Sequence, residues 1–366
     1  MGKIRVLVVD DSAFMRKLIT DFLVEHESIE VVGTARNGED ALAKIEEINP
    51  DVITLDVEMP VLNGLEALKV IMNKYPRPVI MLSSTTKEGA ENTILSLQYG
   101  AFDFITKPSG AISLDLHKVK EELKEKVILA NSSCRNKRIS RFREKKTPLT
   151  VNEYSKIDST DYKSPTSFDK KHLKSSIVCI GTSTGGPRAL QHVLTKIPAN
   201  IDAPIFIVQH MPPGFTHSLA SRLNSISSIE VKEAVNGELV KKGTAYIAPG
   251  GSHLKIVKTG TSLTIKIDQS EIKNGHRPSV DVMFDSISEL NDYRKVAVIM
   301  TGMGSDGSEG LKKLKSTGVV KAISESEQTS VVYGMPKAAV ATNLVDKVEN
   351  VENIAATIMN FLTNQR

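Results

Sequence analysis

Apolar runs of strand length recur through the first 130 residues, at Ile4–Val9, Val31–Ala35, Val52–Leu55, Val79–Leu82 and Phe102–Ile105. Between them apolar positions fall at helical spacing: Phe14, Leu18 and Phe22 share one face, as do Ala41 and Ile45, then Leu65, Leu68 and Met72. Strand runs alternating with helical segments predict a five-fold βα repeat, hence a parallel sheet covered on both faces.

The alternation resumes after residue 175. Ile177–Ile180 is an apolar run interrupted by Gly181, Gly185 and Gly186, and Pro187 with Arg-Ala-Leu-Gln-His-Val-Leu reads as a helix beginning on a first-turn proline. Pro204–His210 and Val296–Asp306 repeat the strand-then-turn pattern, with helical patterns following at Phe215–Leu223 and Leu311–Leu314. The expected fold class is therefore α/β twice over: an N-terminal (βα)5 unit and a C-terminal doubly wound, mainly parallel sheet.

Residues 131–175 break this rhythm. They hold twelve Lys or Arg against five Asp or Glu, with no sustained apolar period, so the net charge of +4 on 366 residues is concentrated in a connector. Such a composition predicts a flexible basic tether, or a surface that captures an acidic partner. The expected division is 1–127, a linker over 128–175, and 176–366. No run approaches the roughly 18 apolar residues of a membrane span, and the N-terminus enters a strand directly, so a cytoplasmic protein without membrane insertion is expected. Charge this modest gives no argument for nucleic acid. Cys134 and Cys179 have neither disulfide nor metal-ligand spacing; Cys179 reads as core packing.

In parallel sheets the carboxyl ends of the strands build the site. In the first unit those ends carry Asp10-Asp11, Asp56, Ser83-Ser84 and Lys107. Several carboxylates beside one lysine favour a hard divalent cation such as Mg2+, and a phosphoryl group placed on one carboxylate would be neutralised by that ion and the lysine. This constellation resembles the receiver domain of two-component response regulators over residues 3 to about 126. The resemblance implies Asp56 as phospho-acceptor, Asp10, Asp11 and the Glu58 backbone carbonyl as further Mg2+ ligands, Ser83 and Lys107 as phosphoryl contacts, and Phe104 as the switch aromatic.

In the second unit Gly181-Thr-Ser-Thr-Gly185 matches G-x-S-x-G, which makes Ser183 a candidate nucleophile, although such turns also cradle phosphates. His210 ends the next strand and Asp306 lies in the glycine-rich loop after a later one, so all three belong to one sheet edge. His192 and His217 lie within helices, and His253 and His276 in loops; Asp281, Asp285 and Asp292 read as helical or peripheral. A nucleophile, base and orienter in the order Ser…His…Asp follows none of the common templates and rests on geometry.

Gly181-Thr-Ser-Thr-Gly-Gly-Pro, Gln209-His-Met-Pro-Pro-Gly-Phe, His276-Arg-Pro-Ser-Val-Asp, Thr301-Gly-Met-Gly-Ser-Asp-Gly and Tyr333-Gly-Met-Pro together resemble the catalytic domain of the CheB family of chemotaxis methylesterases and glutamine deamidases. The chain departs from the usual pattern at Thr182, where Ala is commoner, and at Ser305, where Asn is. The resemblance implies hydrolysis of glutamyl methyl esters on chemoreceptors without a cofactor for that step, with the Thr184 and Met303 amides as oxyanion donors and Arg277 near acidic receptor groups. It also implies a chemotaxis histidine kinase as phosphodonor and a receiver that covers the catalytic cleft until Asp56 is phosphorylated. Two other classes compete: a non-enzymatic regulator whose glycine turn binds phosphate, and a DNA-binding regulator, which would need a basic helix-turn-helix that the second half lacks.

Overall fold

The computed structural model describes residues 2–107, 114–144 and 175–363. Strands β1 (Ile4–Val9), β2 (Ile29–Ala35), β3 (Val52–Asp56), β4 (Val79–Ser83) and β5 (Asp103–Thr106) alternate with helices α1 (Ala13–Val24), α2 (Gly38–Ile48), α3 (Gly64–Lys74) and α4 (Lys87–Gln98). The strands pair in parallel in the order β2-β1-β3-β4-β5. β3 and β4 are buried along their whole length, which is why they read as unbroken apolar runs. Helix starts are set by side chains: Ser12, Asn37, Asn63 and Thr86 each accept a hydrogen bond from the amide three residues on.

Helix α5 (Leu114–Glu144) closes this unit and continues beyond it. Residues 128–144, expected to be flexible linker, are thus helical. Leu123, Val127 and Ala130 are buried and anchor the helix, and no Gly or Pro interrupts the chain before Pro148, so a charged extension stays helical. The rest of the connector, with the side chains of Cys134 and of the cluster from Arg135 to Lys146, lies outside the described residues.

The second half contains β6 (Ser175–Thr182), α6 (Gly186–Leu194), β7 (Ile205–Gln209), α7 (Phe215–Ile226), β8 (Glu230–Glu233) and β9 (Thr244–Ile247). After a hairpin of β10 (His253–Thr259) and β11 (Ser262–Asp268) come α8 (Val280–Ser288), β12 (Tyr293–Ile299), α9 (Ser308–Thr317), β13 (Val320–Glu325), α10 (Met335–Ala341), β14 (Lys347–Glu349) and α11 (Val351–Thr363). Seven strands form a parallel sheet in the order β14-β13-β12-β6-β7-β9-β8. The chain starts in the middle at β6, moves to β7 on one side and returns at β12 on the other. The switch point, where a crevice opens at the strand ends, therefore lies between β6 and β12. Cys179 is buried in β6 and has no disulfide.

The two halves pack directly. Phe104 of β5 stacks on Phe215 of α7 with centroids 4.7 Å apart, Arg222 Nε donates to Gln98 Oε1 at 2.9 Å, and Ser133 Oγ of α5 donates to the Val331 carbonyl at 3.1 Å.

Candidate active site

Ser183 leaves β6 on a turn braced from both neighbouring strands. Its amide donates to the Thr301 carbonyl at 3.0 Å, and its carbonyl accepts from Gly186 N at 2.7 Å and Gln209 Nε2 at 3.0 Å. Thr182 Oγ1 donates to the Thr301 carbonyl and Thr301 Oγ1 to the Thr184 carbonyl, tying the elbow to the loop after β12. Gly185 takes φ +79° at the entry to α6, a backbone region open to glycine. Gly302 is required for proximity: a Cβ there would lie 2.8 Å from Ser183 Cβ and 2.4 Å from Met335 Sδ.

His210 follows β7 and Asp306 follows β12, so β6 with its serine runs between them. His210 Nε2 lies 2.8 Å from Asp306 Oδ2, both side chains buried. Asp306 also accepts from Asn274 Nδ2 (2.9 Å), Ser279 Oγ (2.8 Å), Val280 N (2.7 Å) and Asp281 N (3.2 Å). Its carboxylate thus sits at the N-terminus of α8, where helix amides favour an anion. Burial alone would push this carboxyl up, but the His210 contact and the Val280 and Asn274 donors hold it well below the usual range. An ionised carboxylate only accepts, so His210 Nε2 carries the proton. Among the described residues the buried Nδ1 has no hydrogen-bond partner and is left as the nitrogen that can take a proton.

Ser183, Thr184, His210 and Met303 line one cavity of about 510 Å3 with Asp103, Phe104 and Lys126 of the first half. Thr184 Oγ1 donates to Asp103 Oδ2 at 2.8 Å. Lys126 Nζ lies 3.3 Å from that carboxylate and donates to the Phe104 carbonyl at 2.6 Å. The structure therefore gathers the sequence-predicted residues of the second half and adds a wall from the first.

Several partners were not legible in the sequence. His276, without assigned placement there, stacks on His210 with ring centroids 3.8 Å apart. His253 opens strand β10 instead of lying in a loop, and its buried ring bonds the Glu271 carbonyl and the Ser279 amide. Asp281 is helical as expected, but it is buried behind Asp306. It accepts from Asn274 and from the Gly307 and Gly310 amides, with burial and the Asp306 charge pushing its carboxyl above the usual range. Arg277 lines the cavity, and its Nη1 donates to the Gln269 and Ser270 carbonyls, a loop-bracing role. The motif beginning at His276 was visible; only contact across the sheet edge reveals that it builds the surroundings of His210 and Asp306.

In the first half, carboxylate oxygens of Asp10, Asp11 and Asp56 lie within 4.8 Å of one another. Lys107 Nζ lies 2.7 Å from Asp56 Oδ2 and 2.9 Å from Asp10 Oδ2. Burial, with help from the Asp10 charge, pushes Asp56 up to about 6 despite Lys107. Burial would lower the lysine, but its two carboxylate partners hold it raised. Crowded carboxylates destabilised in this way are a donor set that fits a hard divalent cation. Ser83 is buried and bonds elsewhere: its hydroxyl accepts from Thr93 Oγ1 at 2.6 Å and lies in donor range of the Ser84 and Gly89 carbonyls.

Fold and site define a response-regulator receiver joined to an α/β unit that carries a serine, a histidine and an aspartate at its switch point. Residues 6–117 match the response regulator receiver domain family and residues 178–358 the CheB methylesterase family. The chain is 54% identical over 363 residues to the protein-glutamate methylesterase/protein-glutamine glutaminase of Bacillus subtilis (strain 168), covering 99% of both. It is 47% identical over 359 residues to the protein of the same name from Archaeoglobus fulgidus, covering 98% of both. Among solved structures, the catalytic domain of Thermotoga maritima CheB aligns at 43% identity with a TM-score of 0.50, covering 52% of this chain and 100% of that one. The chain belongs to the CheB methylesterase family.

Proposed function

We propose that this protein hydrolyses glutamyl methyl esters on chemoreceptors and deamidates their glutamines, with Ser183 as nucleophile, His210 as base and Asp306 as orienter. The observation that carries this reading is the 2.8 Å contact of His210 Nε2 with Asp306, which leaves Nδ1 free on a ring sharing a cavity with Ser183. Nδ1 takes the Ser183 hydroxyl proton as Oγ attacks the ester carbonyl, and returns it to methanol as the acyl-enzyme forms. Water then follows the same route and frees glutamate. For a glutamine side chain the same proton leaves with ammonia. The amides of Thr184 and Met303, on the cavity wall, are assigned to the oxyanion, each donor worth about 3 kcal/mol of barrier.

The receiver reading assigns Asp56 as phospho-acceptor and Asp10, Asp11, Asp56 and the Glu58 carbonyl as the residues that would hold Mg2+. The ion would supply positive charge against the carboxylates and the incoming phosphoryl group. Lys107, already between Asp10 and Asp56, contacts the phosphoryl group from the other side. Ser83 would join it after exchanging its Thr93 bond, with Phe104 as the switch aromatic. The division into 1–127, 128–175 and 176–366 keeps one parallel sheet on each side of the connector, although its first boundary cuts α5 and its second falls one residue inside β6. The receiver wall over the cavity, made by Asp103, Phe104, Thr106, Glu122, Glu125 and Lys126, supports closure in the unphosphorylated protein, relieved when Asp56 is modified. Partners on this reading are methylated chemoreceptors and a chemotaxis histidine kinase, which places the protein in the cytoplasm. Among the described residues no helix is long and apolar enough to cross a membrane.

The test is methanol release from methylated receptor with and without a phosphodonor, by native chain, His210→Ala and Asp56→Asn. Release stimulated in the native chain, lost in His210→Ala and unstimulated in Asp56→Asn supports the reading; a fully active His210→Ala opposes it.

A further inference from the structure

Beyond the three assigned side chains, the loop between β11 and α8 contributes a second imidazole. The His210 and His276 rings are nearly parallel, 14° between planes at a centroid separation of 3.8 Å. His276 is fixed there by its own backbone: its amide donates to the Lys273 carbonyl at 2.9 Å and its carbonyl accepts from Lys273 N at 3.2 Å. The same loop sends Asn274 and Ser279 to Asp306. One segment thus holds both the carboxylate and a face of the base.

We propose that His276 is a positioning residue for the hydrolysis: its ring fixes the tilt of the His210 imidazole and shares the charge that His210 acquires when it takes the serine proton. This inference rests on the reading of Ser183 and His210 given above.

The stacked ring acts on His210 in two ways. Nε2 lies close to the axis about which a histidine ring swings, so the Asp306 bond alone restrains that swing weakly, while the Nδ1 edge that must meet the Ser183 hydroxyl sweeps further. A stacked ring blocks the swing. Second, burial foremost, and then the neighbouring His210, press the His276 ionisation down to about 4, against the opposing pull of Asp306. A neutral aromatic face stabilises a cation laid over it, whereas a charged one would repel it. The titratable and charged groups around the pair are Asp306 on one side, Arg277 beside His276, and Asp103, Glu122, Glu125 and Lys126 across the cavity. Proximity to a carboxylate alone would have favoured a charged His276; its burial keeps it neutral where the base needs it so.

The experiment uses the full chain with Mg2+ and a small-molecule phosphodonor, following methanol release from methylated receptor across pH. His276→Ala is expected to lower kcat roughly 10- to 100-fold with KM within about twofold, the scale of a base displaced by about 1 Å. The acid limb of its pH profile should move to lower pH, because His210 loses stabilisation of its charged form. His276→Phe keeps the stacked face and should recover kcat to within about threefold of native. A His276→Ala enzyme with native kcat and native acid limb overturns the proposal, as does a His276→Phe enzyme no faster than His276→Ala when both melt like the native chain. Should His276→Ala fail to fold, His276→Gln replaces it: similar size without an aromatic face, it must be slower than His276→Phe, and equal rates overturn the proposal. Ser183→Ala is run alongside. Its continued hydrolysis would remove the underlying reading, whereas an inactive Ser183→Ala beside a native-like His276→Ala removes only this inference.

Discussion

Thr184, the residue after Ser183, donates its hydroxyl hydrogen bond to Asp103, the first residue of β5, at 2.8 Å. β5 leads on to Lys107, which pairs with Asp56, and Phe104 beside Asp103 stacks on Phe215 of α7. A single short strand therefore joins the acid cluster of one sheet to the elbow of the other. On the proposed reading, this strand carries the phosphorylation signal from Asp56 to the elbow.

Asp103→Ala removes the carboxylate from this contact. A net hydrogen-bond contribution of about 1 kcal/mol corresponds to roughly a fivefold rise in methanol release without phosphodonor. The phosphorylated rate should stay at the native level. An unphosphorylated rate equal to native would show that Thr184 is not held back by this bond.

Asp306→Asn keeps the shape of the side chain but weakens its acceptor role toward five donors. Methanol release should fall by about 10²- to 10⁴-fold, as for an orienter that no longer fixes the tautomer of the base. Thermal stability should also fall, by on the order of 1–3 kcal/mol, because α8 loses its charged cap. The Asp306 carboxyl is held below its usual range, so the stability it adds is present above the unfolded carboxyl value near 4 and is lost as pH falls. The melting difference between native and variant should therefore shrink in acid.

Gly302→Ala places a methyl group 2.8 Å from Ser183 Cβ. The elbow must move or the loop after β12 must open, at a cost of about 1–3 kcal/mol. Esterase activity should drop at least tenfold in a chain whose receiver still accepts phosphate, which a phosphorylation assay on the same sample checks.

Asp56→Asn tests the acid cluster by stability. The folded-state value near 6 lies above the unfolded value near 4, so the native chain is penalised once the carboxyl ionises, fully above pH 6 and not below pH 4. Without Mg2+ the variant should melt higher than native at pH 7.5, by on the order of 2 kcal/mol, and converge with it near pH 4. Added Mg2+ should stabilise the native chain and leave the variant less affected. A variant that melts lower than native at pH 7.5 would contradict the burial argument.

Much of this was legible because strand ends are legible. Asp10, Asp56, Lys107 and His210 close apolar runs, and Ser183 and Asp306 sit in the glycine turns that follow such runs; parallel sheets bring these positions to one edge. What escaped were contacts set by loops of unfixed path. His276, Asn274 and Ser279 reach Asp306 and His210 across a hairpin and a turn that no periodicity announces. Asp281 looked peripheral because a helical carboxylate is usually solvated, and here it caps the loop after β12 instead. Helix α5 outran its expected end because composition predicts solvation, not conformation: a charged stretch without Gly or Pro can remain helical once a buried turn has nucleated it. Ser83 was placed at the right strand end, but the sequence carries no sign that its hydroxyl faces Thr93.

The central claim is that the Ser183 hydroxyl attacks the receptor ester. Its most direct measurement is the rate of methanol release by Ser183→Ala, in the full chain with Mg2+ and phosphodonor, against the native chain. The account predicts a loss of about 10³-fold or more with an unchanged melting temperature. A folded Ser183→Ala that releases methanol within tenfold of the native rate would contradict it.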